Sequence, residues 1–288
     1  MVAPTITSVL APSVSIPMLA GASVAGTSLA DDAGHLTDMG LCAFWTVISA
    51  LVCFSLYKGS QVVSPRVFRA YRALTKEDQR QWDVRYASTM HAPLCVYYAY
   101  VMILSSDFFF YEGSPPNVFR TNAVTHTALG VSTGFFLVET AITARYGMGG
   151  PEMLAHHLGS LASVLTAVFM QQGHMHTMWM LVTECTTPFI DLRWLLDKAD
   201  MKSTPLYFYN GMAIFIVWIV ARLSIFPPFF YVVWQQRAQI PLLNVWSIML
   251  LSVIPWVLLA LNLLWFSKIL KGVIKLLQPA PKDIKKEH

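Results

Sequence analysis

Apolar residues run along this chain in blocks too long for strands, and each block is closed by charge or by a turn. Stretches able to cross a hydrocarbon core of ~30 Å are Leu36 to Tyr57, Tyr86 to Phe110, Asn122 to Arg145, Met153 to Gln171, Met175 to Leu196, Leu206 to Phe226 and Leu242 to Leu270. They predict an all-α fold, a polytopic membrane helical bundle of about seven transmembrane helices. The length of the last stretch around Pro255, and the aromatic run from Phe226 to Trp234, keep the range at six to eight.

Local signals punctuate these blocks. Thr75 followed three residues later by Asp78 reads as a capping box opening a helix through Trp82. Val67, Tyr71 and Leu74 stand at helical spacing among arginines, which suits either a helix lying on an anionic membrane face or a solvated charge run. Gly147, Gly149, Gly150 and Pro151 mark a tight turn between two spans.

Composition agrees with the pattern: 55% of the 288 residues are hydrophobic and 12% charged, against roughly 25% charged in a soluble domain. Charge then orients the bundle, because Lys and Arg beside a span are retained in the cytosol. With the N-terminus luminal and the C-terminus cytosolic, all of the 20 basic residues except Arg120, Arg222 and Arg237 fall in cytosolic loops or the tail. The expected organisation is a flexible luminal tail over 1–35, a first helix and basic cytosolic loop over 36–78, and a cytosolic tail over 276–288. Lys285 and Lys286, third and fourth from the end, resemble a dilysine retrieval signal. That signal implies the endoplasmic reticulum membrane with Golgi cycling, and dilysine-recognising coat proteins as partners.

Ionisable side chains at membrane depth are costly unless they pair or face the bundle interior. His91, His126, Glu139, His156, His157, Glu184, Asp191 and Arg222 all fall in predicted spans. His156 heads a small, weakly polar stripe of Ser160, Ser163 and Ala167, whereas His157 heads Leu161, Val164 and Val168. The first stripe therefore faces inward. Glu184, Thr187 and Asp191 recur at three and four residues, with Thr177 extending the stripe backwards. Pro188 has no N–H for the Glu184 carbonyl, which predicts a kink and an unpaired acceptor beside the carboxylate. By depth along their spans, Asp191 and Arg193 lie nearer the histidines than Glu184 does. The alternative is a set of scattered interhelical hydrogen bonds that only hold the bundle.

Leu154 to Gly159, with its paired histidines, followed by Thr183, Glu184, Cys185, Thr186, Thr187, Pro188, Phe189, Ile190, Asp191, Leu192 and Arg193, resembles the TLC domain. That module is shared by ceramide synthases, the translocating-chain-associated membrane protein and small lipid-homeostasis proteins, and the resemblance covers roughly residues 79–275. The segment from Glu184 to Arg193 is more similar to the small TLC-domain-containing proteins than to the synthases. The resemblance implies a bundle that accommodates acyl lipid. It also implies His156, His157, Glu184 and Asp191 as catalytic candidates, with Pro188, Arg193, Lys285 and Lys286 in structural or targeting roles. In ceramide synthases a later His-Asp pair completes the motif; here Thr183 and Glu184 stand in its place, which puts ceramide synthesis itself in doubt.

The function expected is membrane lipid homeostasis, by acyl-CoA-dependent transfer to a lipid hydroxyl or amine or by non-catalytic lipid binding or transfer. Acyl-CoA is then a co-substrate, with no bound cofactor and no metal. Membrane lipids are the expected partners, a homo-oligomer is left open, and the basic loops are explained by topology without nucleic acid. The sequence shows no inverted repeat of the kind many transporters carry. It also lacks the acid before Arg145 expected of a seven-span receptor, and any phosphate-binding glycine loop or nucleophile elbow. Cys42, Cys53, Cys95 and Cys185 show neither disulfide nor zinc spacing.

Overall fold

The computed structural model describes residues 28–277, with side chains over 37–275. The tail before residue 28 and the Lys285, Lys286 signal lie outside the described residues. Among the described residues every regular element is helical: α1 Ser28–Val67, α2 Arg69–Ala73, α3 Lys76–Ala99, α4 Ala123–Tyr146, α5 Gly150–Met170, α6 His174–Leu181, α7 Thr187–Lys198, α8 Pro205–Trp218, α9 Phe226–Gln235 and α10 Val245–Leu277. Six stretches are long and apolar enough to cross a membrane, with α8, a π-turn and α9 forming one of them. The predicted crossing from Met175 to Leu196 is instead a broken helix, α6 and α7 joined by a 3-10 segment over Val182–Thr186. It still traverses the bundle. His174, at its start, meets Thr125 at the beginning of α4 (3.0 Å), while Lys198, at its end, pairs with Asp78 at the beginning of α3 (2.7 Å).

Helix α4 is the hub. Its Gly, Ala, Ser and Thr content lets neighbouring backbones approach closely, and it is buried nearly all round. A Cβ on Gly130 would stand 2.6 Å from the Cys42 carbonyl oxygen, and one on Gly134 would overlap the Thr46 carbonyl and lie 2.7 Å from the Ala50 nitrogen. The α1–α4 seam is therefore backbone against backbone. The opposite face of α1, with Phe44, Val47, Leu51 and Phe54, is exposed, as a lipid-facing helix should be.

The basic loop before α3 is docked rather than slack. Thr75 caps α3 by accepting from the Asp78 N–H (3.1 Å), as its spacing predicts. The expectation of Tyr71 on a membrane-facing stripe is corrected: it turns inward, packs on Trp82 and donates to Asp83 (3.2 Å), which also accepts from Ser60 (2.6 Å). Burial, with Asp83 beside it, pushes the Tyr71 phenol up to about 12. It therefore remains a neutral donor. At the other end of the bundle, buried Arg120 donates to the carbonyls of Pro115, Phe108 and Gly113 and lies over the Tyr111 ring. That loop is closed on itself.

The glycine turn forms as predicted, with positive φ at Gly147, Gly149 and Gly150, conformations that cost glycine little. Helix α10 continues through Pro255, so no break divides it.

Candidate functional site

A chamber of about 580 Å³ opens inside the half of the bundle nearest the basic loops, walled by α3, α4, α5, α7, α8 and α10. That volume lies within the ~300–1,000 Å³ common for ligand sites. A narrower space of about 90 Å³ continues toward the other half, between α5, α6, α9 and α10. Phe136, His156 and Glu184 line both. They form the waist between the two.

Both histidines come from the first half of α5, about two turns beyond the glycine turn that reverses the chain from α4. His156 stacks edge-on with Trp265 (5.6 Å), and His157 does so with Phe136 (6.4 Å). The Nδ1 atoms of both are buried without a hydrogen-bond partner. Ser160, Ser163 and Ala167 line the narrow space below His156, but so does Val164, and Ala167 shares the buried core with Val164 and Val168, with Leu161 packed against it. The two stripes on α5 therefore overlap, and His157 is the more buried of the two histidines.

The broken helix delivers the carboxylates. The predicted orphan carbonyl at Glu184 is corrected, because the 3-10 geometry pairs it with the backbone N–H of Thr187 and Pro188 simply falls in the first turn of α7. Pro188 opens the break but stands off the chamber wall. The Glu184 carboxylate accepts from the Thr187 hydroxyl (2.8 Å) and faces Arg222 at 3.9 Å. Arg222 sits in a π-turn over Ile219–Leu223, a local widening that turns its side chain toward the broken helix. Its guanidinium donates to the Thr183 carbonyl (3.1 Å), the Thr186 hydroxyl (2.6 Å) and the Asn262 side chain (3.3 Å).

Asp191 is fully engaged. Arg85 (2.6 Å), Ser88 (2.7 Å) and Thr89 (2.9 Å) all donate to it, fastening α7 to α3. Among the described residues no hydrogen bond joins either histidine to Asp191 or Glu184, so neither carboxylate sets an imidazole tautomer here. All four predicted residues nevertheless line the same chamber.

Arg193 also lines it. Its guanidinium lies 3.8 Å over the Tyr207 ring, donates to the Tyr207 carbonyl (2.8 Å) and crosses Gly211, where a Cβ would stand 2.5 Å from it. Sequence reasoning passed over Arg85, Arg222 and Glu139 as site residues. For Arg85 a signal existed, since Ser88 and Thr89 follow it at three and four residues and share its helix face. Arg222 and Glu139 were visible as ionisable groups in apolar spans, but what lay opposite them depended on helix packing.

The TLC domain family model matches residues 81–271. The chain is similar to TLC domain-containing protein 4-A of Xenopus laevis, with 27% identity over 85% of this chain and 96% of that protein. It is similar to human TLC domain-containing protein 4, with 22% identity over 82% of this chain and 89% of that protein. It also resembles Topoisomerase I damage affected protein 4 of Saccharomyces cerevisiae, with 29% identity over 56% of this chain and 62% of that protein.

Proposed function

The chain belongs to the TLC domain family, and from that premise we propose that it is an endoplasmic reticulum membrane protein of lipid homeostasis that transfers an acyl chain from acyl-CoA to a lipid hydroxyl or amine. The observation that carries this reading is the chamber itself: a ligand-sized space inside a membrane bundle, with His156 at its waist, His157 on its wall and an apolar extension beyond. The charge bias of the loops supports a luminal N-terminus and a cytosolic C-terminus. The chamber then opens toward the cytosol, where a charged CoA thioester reaches the histidines without entering hydrocarbon. Lys285 and Lys286 support residence in the endoplasmic reticulum through coat-protein retrieval.

In this mechanism a histidine nitrogen attacks the thioester carbonyl carbon, the C–S bond breaks, and the CoA thiolate leaves and takes a proton from solvent. The lipid hydroxyl or amine then attacks the acyl-imidazole, its proton passes to the second imidazole, and the histidine nitrogen is released. The acyl chain starts at the waist and runs toward the narrow space between α5 and α10.

A second reading, lipid binding or transfer without chemistry, is favoured by one observation: no carboxylate orients either imidazole. Purified protein in liposomes, supplied with labelled acyl-CoA and candidate acceptor lipids, decides between them. Acyl transfer should fall ~10²- to 10⁴-fold in the His156→Ala, His157→Ala variant, which should still bind lipid and keep its melting temperature. Absence of turnover with every acceptor, or a fully active double variant, leaves lipid binding as the function.

A further inference from the structure

Of the charged groups that line the chamber, most are matched on the protein. Asp191 has Arg85, Glu184 faces Arg222, Asp197 has Lys202 (2.6 Å) and Lys268 has Glu152 (3.4 Å). Glu139 of α4 is different. It is 93% buried, since 7% of its surface is exposed, it lines the chamber, and among the described residues it has neither a hydrogen bond nor an ion pair. The other charged groups facing this part of the wall are Arg85 and Asp191, already bound to one another, and Glu184 with its own partners. Val84, Phe136 and Met153 are among the apolar residues of the same chamber.

A carboxyl group inside a membrane bundle with no protein donor is costly unless the adjoining space supplies one, and at membrane depth such a group marks a functional site by default. The Nε of Arg85 and the Nδ1 atoms of His156 and His157 are themselves without partners, but none of them is hydrogen-bonded to Glu139, so its donor comes from what the chamber holds. Resting on the lipid-accommodating reading above, we propose that Glu139 is the recognition residue for the polar end of the bound lipid, and that this end carries a hydrogen-bond donor, an ammonium or a hydroxyl. Glu139 stands one helical turn from Phe136 on α4, and Phe136 packs on His157. A head group held by Glu139 therefore lies beside the paired histidines, with its chains free to pass the waist.

The test measures binding without acyl-CoA, so it is independent of turnover. Full-length protein in nanodiscs is exchanged against dioleoyl lipids with ethanolamine, N,N,N-trimethylethanolamine (choline) or plain glycerol hydroxyl heads, and the lipid retained is quantified by native mass spectrometry. The ethanolamine or the hydroxyl lipid should be retained roughly tenfold over the choline lipid, as expected for one hydrogen bond to a charged group. Glu139→Leu should abolish that preference without lowering the melting temperature, because it removes an unmatched polar group. Glu139→Gln separates the two sources: a hydroxyl lipid keeps its preference, since the amide oxygen still accepts, whereas an ammonium lipid loses it. Equal retention of the choline lipid by the unaltered protein, or an undiminished preference in both variants, overturns the proposal. Loss of turnover in the histidine variant with this preference intact leaves the Glu139 assignment standing alone.

Discussion

Helix α4 presents two faces built on opposite principles. Toward α1 it offers Gly130 and Gly134, and backbone meets backbone with no room for one further carbon. Toward α5 and the chamber it offers Phe136 and Glu139, and the space between helices stays open. A membrane bundle cannot rely on hydrophobic burial to hold helices together, since lipid tails are as apolar as leucine, so close van der Waals contact has to do it. Sealing one face that tightly is what lets the other face stay unfilled. The difference teaches where this protein keeps its stability and where it keeps its chemistry.

The comparison breaks most severely at the seam. Gly134→Leu should prevent α1 and α4 from meeting, costing more than the ~1–3 kcal/mol of ordinary overpacking because the obstacles are backbone atoms. Size-exclusion chromatography after detergent extraction should show aggregate in place of a monodisperse species. A monodisperse, thermally unchanged Gly134→Leu protein would show that α1 is not held in this way.

The chamber wall is braced by a buried ion pair, and its loss should be smaller than the seam's but still large. Asp191→Asn leaves the Arg85 guanidinium without its counter-charge and should cost ~3–5 kcal/mol. The double variant Asp191→Asn, Arg85→Met should recover part of that loss. Thermal unfolding in one detergent checks both. A double variant worse than the single would mean the two residues act apart.

At the mouth of the chamber the expected effect is on function more than stability. Gly211→Ala brings a methyl group against the Arg193 guanidinium, a flexible end able to swing away, so stability should change by only ~1 kcal/mol or less, the scale of a helical Gly→Ala change. Ligand retention should fall if the Arg193 position matters to binding, and Arg193→Met should reproduce the effect. Unchanged retention in both variants would confine Arg193 to packing against Tyr207.

Much of the architecture was legible along the chain because its signals are local. The glycine turn before Pro151, the Thr75 cap and the long apolar blocks all follow from periodicity and backbone preference. Tyr71 was misjudged because its partner Asp83 becomes adjacent only once α2 folds back over α3. The carbonyl of Glu184 was misjudged because Pro188 reports a lost α-helical hydrogen bond but not the 3-10 bond that replaces it. Glu139 and Arg222 were both visible as ionisable groups in apolar spans, yet nothing local distinguished the one that is matched from the one that is not.

By itself the sequence determined that this is a helical membrane bundle, where its turns fall, and which polar groups enter hydrocarbon, since hydropathy, caps and charge bias act over a few turns of chain. Only the tertiary structure decided which of those groups find one another. Asp191 meets Arg85 across more than a hundred residues, and Glu184 meets Arg222 through a broken helix and a π-turn. Glu139 is left facing the chamber, because pairing depends on how helices rotate and pack against α4, and that is settled by the whole bundle at once.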